Sequence, residues 1–139
     1  MADNPVVQGF LQVALEDLDA ARRLLAPPAN RLACYHLHQA AEKLAKAILS
    51  ARGIHTTKEH RLSLLAPLLS NEDPWRGRLA SLAHLDRYAT TFRYPGTSGR
   101  LPTGADAATV QAEVDRLAPL LAEARRGIPA LTQGGAGTP

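Results

Sequence analysis

The sequence predicts an all-α fold, an up-and-down bundle of four or five helices. Apolar residues, mostly alanine and leucine, make up 45% of the chain, while aromatic residues make up only 4%. This composition suits close packing of helices better than a β-sheet, which favours β-branched and aromatic side chains. Two pairs, Asn4-Pro5 and Asp73-Pro74, are typical of a helix N-cap followed by proline in the first turn. No segment is predicted to be a strand.

The first two helices are predicted from their ends and from their apolar spacing. The first begins after Asn4 and ends at Pro27-Pro28, because proline interrupts the backbone hydrogen bonds of a helix. The second covers about residues 30–52, with Gly53 at its C-terminal cap. Each carries an apolar face at helical spacing. These faces contain Val7, Leu11, Ala14, Leu18, Ala21 and Leu25 on the first helix, and Ala33, Leu37, Ala40, Leu44, Ala47 and Ile48 on the second.

Two further helices are predicted in the middle of the chain. A short one lies near residues 61–69, where Pro67 interrupts it or delays its start. Asp73-Pro74 then opens a longer helix, which stops at Arg93-Tyr94-Pro95-Gly96 because a residue before proline disfavours helical geometry. Its inward-facing residues are Leu79, Leu82, Leu85 and Ala89.

The last helix is predicted over about residues 106–126, with a kink at Pro119. Residues 1–129 then form one helical domain, whose core comes from the first, second, fourth and last helices. The glycine-rich residues 130–139 are expected to be a flexible tail.

The chain is predicted to be cytoplasmic. Its single cysteine, Cys34, cannot form an internal disulfide, which favours a reducing compartment. No charged-then-apolar leader opens the chain, and charged residues interrupt every apolar run before it reaches membrane-spanning length.

Positive charge is concentrated in the middle of the chain, although the net charge is only +3. Residues 31–61 carry six basic residues against two acidic ones, and residues 76–100 carry five arginines against Asp86 alone. Most of the basic residues are arginine, whose guanidinium can contact a phosphate at two points. This pattern favours an anionic ligand such as a nucleotide or RNA. The alternative is ordinary charge on a solvated surface.

Polar residues also share a face of the second helix. Gln39, Glu42 and Lys46 recur at three- and four-residue spacing, together with Tyr35, His38 and Lys43. Glu42 and Lys46 form an i,i+4 pair of favourable orientation, worth ~0.2–0.5 kcal/mol. From spacing alone, this face is either a solvated, salt-bridged surface or part of a site.

The histidines do not predict a metal site, and no cofactor is predicted. His36 and His38 point about 200° apart on a helix, so that segment cannot hold one ion with both rings. His55 and His60 flank a loop, but no acidic partner or second cysteine stands at the usual ligand spacing.

The order of these motifs resembles the HEPN domain, a small helical bundle of prokaryotic nucleotide- and RNA-associated systems. The resemblance rests on residues 35–47 with their Gln39-Ala40-Ala41-Glu42-Lys43 core, on His60 and on Arg93-Tyr94-Pro95, which is typical of one subgroup. It covers about residues 7–126. His38 departs from the pattern, which more often has glutamine there.

The resemblance implies that the polar face of the second helix lines a cleft between helices or subunits. Gln39, Glu42 and Lys46 fall on the matching positions, and His60 matches the loop histidine of the family. Arg93 and Tyr94 would add a phosphate contact and a ring for stacking a base. These six residues are the predicted nucleotide- or RNA-binding site. As an alternative, Arg93 only complements the dipole at the end of a helix.

The resemblance also implies a biological setting. We expect a homodimer that binds a nucleotide or RNA, paired with a small nucleotidyltransferase in a toxin–antitoxin-like system. Two alternatives stay open, a dimeric metal-independent ribonuclease and a non-catalytic protein-interaction module.

In the family that the chain resembles, active ribonucleases carry an Arg, then four to six residues, then a His near the start of the last core helix. The His would act as acid and base, and the Arg would stabilise charge on phosphorus. Arg78 and His84 match this spacing and are weak catalytic candidates, as six helical steps turn them about 120° apart. Arg31 and His36 also match, but on the wrong helix, and no His follows Arg93. The ribonuclease motif is therefore interpreted as absent or degenerate.

Overall fold

The structure is a computed structural model that describes residues 4–25, 30–55, 58–89, 95–101 and 104–127. Within these ranges it is all-α, as predicted. Helices α1 (Pro5–Arg23) and α2 (Asn30–Ala51) pack against each other along their lengths, and α5 (Ala107–Arg126) packs against both. These three long helices form the body of the bundle.

The ends of α1 and α2 follow the predicted chemistry. The side chain of Asn4 accepts hydrogen bonds from the N–H groups of Val6 and Val7 at 3.0 and 3.3 Å, which satisfies two unpaired donors of the first turn. Gly53 follows α2 with φ of 78°, a left-handed conformation that glycine adopts without steric cost.

The fourth side of the bundle is built from short pieces. Helix α3 (Leu62–Leu65) continues into the 3₁₀ turn Ala66–Leu68, which contains Pro67 in its first turn. Helix α4 (Pro74–Ala80) begins at Asp73, whose side chain accepts from the Trp75 N–H at 2.9 Å. A 3₁₀ segment, Ala83–Tyr88, follows α4 after a turn.

The prediction of one long fourth helix was therefore wrong in its extent. Its apolar residues explain the difference, since Leu79, Leu82, Leu85 and Tyr88 follow one another at intervals of three. This spacing matches three residues per turn better than 3.6, so the chain keeps all four buried by tightening into 3₁₀ geometry. Ala89, which was predicted to face inward, is only half-buried.

Helix α5 begins at Asp106, whose side chain accepts from the Thr109 N–H at 2.8 Å. Pro119 lies inside the helix without ending it. The core between α5 and the other helices contains the residues of the predicted apolar faces of α1 and α2. Leu25 is the exception, because it is only partly buried. The backbone at Gly104, just before α5, passes so close to the start of α2 that a Cβ atom on Gly104 would lie 2.7 Å from the Arg31 backbone nitrogen.

Candidate functional site

The polar face of α2 is buried, and Glu42 is at its centre. The Glu42 side chain is 1% exposed, and its Oε2 accepts hydrogen bonds from Lys46 Nζ at 3.1 Å and from His60 Nδ1 at 3.0 Å. Lys43 Nζ lies 3.5 Å from the same oxygen. One carboxylate oxygen is thus shared by two lysines of its own helix and a histidine from the loop before α3. We call these four residues the Glu42 cluster.

Gln39 joins the Glu42 cluster at its edge. Its side-chain oxygen accepts from Lys43 Nζ at 3.0 Å, and its Nε2 lies 3.5 Å from Glu42 Oε1. Gln39 precedes Glu42 and Lys43 by three and four residues, and Lys46 follows Glu42 by four. These spacings are about one helical turn, so the local geometry of α2 brings the side chains together.

Glu42 is ionised at neutral pH despite its burial. Burial alone would raise the pKa of this carboxyl, but the hydrogen bond from His60 and the charges of Lys43 and Lys46 more than offset it, so the pKa lies below its ordinary value. The cluster therefore pairs one buried anion with two ammonium groups.

His60 is held at the surface with one face turned inward. The Glu59 carboxylate accepts from the N–H groups of His60 and Arg61, each at 3.0 Å, which fixes the backbone just before α3. The His60 side chain is 66% exposed. With Nδ1 turned to Glu42, the other ring nitrogen, Nε2, lies on the exposed side of the ring.

A second buried polar group adjoins the Glu42 cluster. His38 is fully buried, and its Nε2 lies 3.2 Å from Asp86 Oδ1. The Asp86 carboxylate also accepts from the N–H groups of Leu62 and Ser63 at 2.7 and 3.0 Å. Asp86 therefore caps α3 from another element and links it to α2.

Burial lowers the pKa of His38, and the neighbouring Asp86 only partly offsets this effect. His38 is therefore neutral at pH 7, and its hydrogen on Nε2 donates to Asp86. Its Nδ1 is buried and has no hydrogen-bond partner among the described residues.

Four of the six predicted binding residues meet in one hydrogen-bonded group, namely Gln39, Glu42, Lys46 and His60. The other two, Arg93 and Tyr94, lie outside the described residues. Spacing alone left a solvated face open for α2, and the burial of Glu42 and Lys46 rules it out. Asp86 was not predicted as a partner of α3 and His38, although it stands out as the one acidic residue in the basic stretch 76–100.

The described residues contain neither a metal-binding group of side chains nor a membrane-spanning helix. Within those ranges, no group of three or more His, Cys, Asp or Glu side chains is arranged to hold a metal ion. None of the helices found there is long and apolar enough to cross a membrane.

Comparison with known proteins then identifies the family. The family model of the HEPN domain matches residues 7–121, which is most of the chain. The chain belongs to the HEPN domain family. No curated protein and no solved structure matches it.

Membership in the HEPN family supports a function related to nucleotides or RNA, or a ribonuclease-like one, in general terms. The Arg93-Tyr94-Pro95 subgroup stays a prediction. The matched range contains most of α1, all of α2 to α4 and most of α5, so it includes the whole Glu42 cluster.

The structure of this HEPN domain keeps Arg78 and His84 apart. Arg78 pairs with Glu123 and lies over the Trp75 ring at 4.8 Å, while His84 pairs with Glu113. Their partners, Glu123 and Glu113, are ten residues apart on α5, which corresponds to about 15 Å along the helix axis. Within one chain, Arg78 and His84 therefore do not face a common phosphate.

Proposed function

We propose that this HEPN domain binds a nucleotide or RNA phosphate at the surface around His60, as the partner of a small nucleotidyltransferase in a toxin–antitoxin-like system. The observation that carries the proposal is the sharing of one buried carboxylate, Glu42, by Lys43, Lys46 and His60. Two full positive charges and one titratable ring meet a single negative charge there.

An anion at the rim of this cluster would balance the excess charge. The neighbouring carboxylates already have other partners. Asp86 accepts from two backbone N–H groups and from His38, and Glu59 accepts from the N–H groups of His60 and Arg61 and from the Arg61 guanidinium. Lys43 reaches the surface, with 22% of its side chain exposed. A phosphate beside Lys43 and the outer face of His60 would gain charge-assisted hydrogen bonds, which are about twice as strong as neutral ones.

Arg93 and Tyr94 remain part of the proposed site. As the sequence predicts, Arg93 would supply a two-point phosphate contact and Tyr94 a ring for stacking a base. Gln39 would contribute an amide at the edge of the same surface. Glu42 and Lys46 are buried beneath this surface, and they hold His60 and Lys43 in place.

Binding is tested by fluorescence titration of a labelled single-stranded RNA and of ATP. Lys43→Ala and Arg93→Ala are each expected to weaken binding by about 1.5–3 kcal/mol, the scale of a lost hydrogen bond to a charged group. Affinity should also fall with increasing salt, because phosphate contacts release counterions.

Arg22→Ala is the matched control, because it removes one positive charge from the exposed face of α1. It should leave the affinity unchanged. Equal losses in all three variants would indicate diffuse attraction by net charge and would contradict a local site. Absence of binding in the wild type would leave the protein-interaction module as the better interpretation.

The nucleotidyltransferase partner rests on the family resemblance and is tested separately. Three results would support the pair: a nucleotidyltransferase gene next to the gene of this chain, copurification of the two proteins, and loss of any toxicity of this chain when the nucleotidyltransferase is coexpressed. A purified nucleotidyltransferase neighbour that does not bind this chain would contradict it.

A further inference from the structure

We propose that His60 is a phosphoryl-acceptor site, at which the imidazole Nε2 takes a phosphoryl group from a phosphoramidate, a donor whose phosphorus is bonded to nitrogen. Glu42 is the positioning residue for this reaction. The inference goes beyond the proposed function, because it assigns a covalent modification to the protein itself and needs no bound nucleotide or RNA.

The His60 ring presents one nitrogen to solvent, while the other is held from inside. Glu42 Oε2 accepts from Nδ1 at 3.0 Å, and two thirds of the His60 side chain is exposed. Because the Glu42 carboxylate is ionised and can only accept, Nδ1 carries the hydrogen and the lone pair lies on Nε2. A neutral imidazole in this tautomer is a nucleophile at Nε2.

The charges around His60 suit the group that is transferred. Attack by Nε2 leaves a positive charge on the ring, which lies directly against the buried Glu42 carboxylate. The phosphoryl group carries about two negative charges, and the Lys43 ammonium contacts the same carboxylate as His60 and reaches the surface. Glu59, the acidic neighbour of His60, already accepts from the Arg61 guanidinium at 3.1 Å. The cluster therefore stabilises both parts of the phosphorylated ring.

The transfer is balanced in atoms and electrons. The Nε2 lone pair forms a bond to phosphorus, and the bond from phosphorus to the donor nitrogen breaks. Because the donor nitrogen of phosphoramidate is protonated, it takes the electron pair of that bond and leaves as a neutral amine, which is ammonia for the parent compound. Nδ1 keeps its hydrogen throughout. The product is a phosphoryl group on Nε2 of a protonated ring, and neither an oxidant nor water is consumed.

Three other histidines lack a part of this arrangement. His38 is fully buried. His84 uses Nε2 itself to contact Glu113, and His36 pairs with Asp17, with about a third of each histidine side chain exposed. In neither of these two pairs does a lysine share the carboxylate with the histidine.

His55 is the informative comparison. It is exposed like His60, but no carboxylate of the described residues pairs with its ring. If exposure of the imidazole alone decided the reaction, His55 and His60 would react at equal rates. Orientation and charge stabilisation by Glu42 instead make His60 the faster acceptor.

The test treats the full chain with phosphoramidate at neutral pH. Mass spectrometry of proteolytic peptides, kept alkaline because phosphohistidine is labile in acid, measures the rate at each histidine. His60 should be phosphorylated about tenfold faster than His55 or more, the factor for one hydrogen bond between charged groups. Phosphorus NMR should show the phosphoryl group on Nε2 and not on Nδ1.

His55→Ala is the matched control, because it removes an exposed histidine that has no orienting carboxylate. It should leave the rate at His60 unchanged, whereas His60→Ala should remove the fast phase of labelling. Glu42→Gln, assayed where circular dichroism shows it folded, should slow labelling of His60 about tenfold and leave the rate at His55 unchanged. The two rates in one molecule separate a positioning role of Glu42 from a general loss of structure.

Equal rates at His60 and His55 in the wild type would indicate reaction of any exposed imidazole and would overturn the inference, and this measurement needs no variant. A phosphoryl group on Nδ1, or the absence of labelling at His60, would overturn it as well.

The modification also has a consequence that rests on the proposed function. Phosphorylated wild type should bind labelled RNA more weakly than the unmodified protein, because the phosphoryl group on His60 occupies the place of the ligand phosphate and repels it. If neither form binds RNA while His60 is labelled as expected, the proposed function fails and the phosphoryl-acceptor site stands.

Discussion

At the scale of single residues, the notable feature is a buried ion pair that is satisfied almost entirely from one helix. Lys46 and Glu42 are 5% and 1% exposed, so removing them from water is costly. The contacts from His60 and Lys43 to the same carboxylate reduce this cost. Such a pair contributes little net stability when intact, but the loss of one partner is severe.

Glu42→Gln is therefore expected to lower the free energy of unfolding by about 3–5 kcal/mol, because it leaves the Lys46 ammonium buried without its counter-charge. Urea denaturation measures the loss. The control is the double variant Glu42→Gln/Lys46→Met, which removes both charges at similar volume and should recover much of the stability. A loss below about 1 kcal/mol in the single variant would contradict the prediction.

His38 makes the stability depend on pH. Burial lowers its pKa from the ordinary 6.5 in the folded protein, so between these two values the unfolded chain binds more protons than the folded one. Stability from this group is therefore fully present above pH 6.5 and decreases as the pH falls towards the folded pKa. Glu42 makes stability depend on pH in a lower range. The pKa of its carboxyl is lowered from the ordinary 4.5, so its contribution to stability is fully present above pH 4.5 and is lost as the pH falls through the pKa of the folded state.

His38→Gln tests this effect, since glutamine can still donate to Asp86 but does not titrate. The difference in unfolding free energy between about pH 7.5 and about pH 5 should be smaller in the variant than in the wild type. Urea denaturation at the two pH values measures it. An equal difference in both proteins would show that His38 does not carry the pH dependence.

At the scale of elements, the loop before α5 is positioned by a close backbone contact. Gly104 has φ of 79°, and a Cβ atom added there would lie 2.7 and 2.8 Å from the Arg31 nitrogen and Cα. These are backbone atoms of the first turn of α2, so they cannot move aside as a flexible side chain could. Glycine is thus required for both its conformation and its size.

Gly104→Ala should destabilise the protein more than Gly99→Ala. Gly99 has almost the same φ, 82°, but a Cβ atom there meets nothing within 4 Å. Gly99→Ala should therefore cost only the left-handed backbone strain, about 1–2 kcal/mol, and Gly104→Ala this strain plus the steric clash. Thermal unfolding of both variants gives the comparison. Equal losses would mean that the contact with α2 is not tight in solution.

At the scale of the whole molecule, pairs of histidine and carboxylate connect the parts of the bundle. Each of four pairs joins two different elements or an element and a loop. These pairs are His36–Asp17, His38–Asp86, His60–Glu42 and His84–Glu113. They attach α2 to α1, α2 to the 3₁₀ segment, the loop before α3 to α2, and the 3₁₀ segment to α5.

The predicted homodimer also belongs to this scale. HEPN domains often dimerise, but Glu42 and Lys46 are covered within one chain, so only the rim of the polar face of α2 is left for a partner. Exposed apolar side chains lie elsewhere, with Val6 and Val13 on α1 and Leu64 and Leu68 around α3. We expect a dimer by analytical ultracentrifugation at micromolar concentration.

Two substitutions locate the dimer interface. Val13→Lys should dissociate the dimer if the α1 face forms it, and Leu64→Lys should do so if the α3 region does, because a lysine buried in an apolar contact is costly. A wild type that sediments as a monomer over the whole concentration range would contradict the homodimer.

The sequence by itself determined the class of fold, the starts of α1, α4 and α5, and the buried faces of the long helices. These features depend on local chemistry, such as the Asn4 cap, and on apolar spacing along one helix. The same spacing placed Gln39, Glu42 and Lys46 on one face, since residues three or four positions apart are neighbours on any α-helix.

Only the tertiary structure decided what covers that face. Asp86 reaches α3 and His38 because the chain after α4 tightens into a 3₁₀ segment, and His60 reaches Glu42 because the loop before α3 returns along α2. These contacts join residues 18 to 48 positions apart, so no local pattern encodes them. Whether Glu42 and Lys46 were solvated or buried was therefore open in the sequence, because burial depends on which distant segment packs against a helix and not on the helix alone.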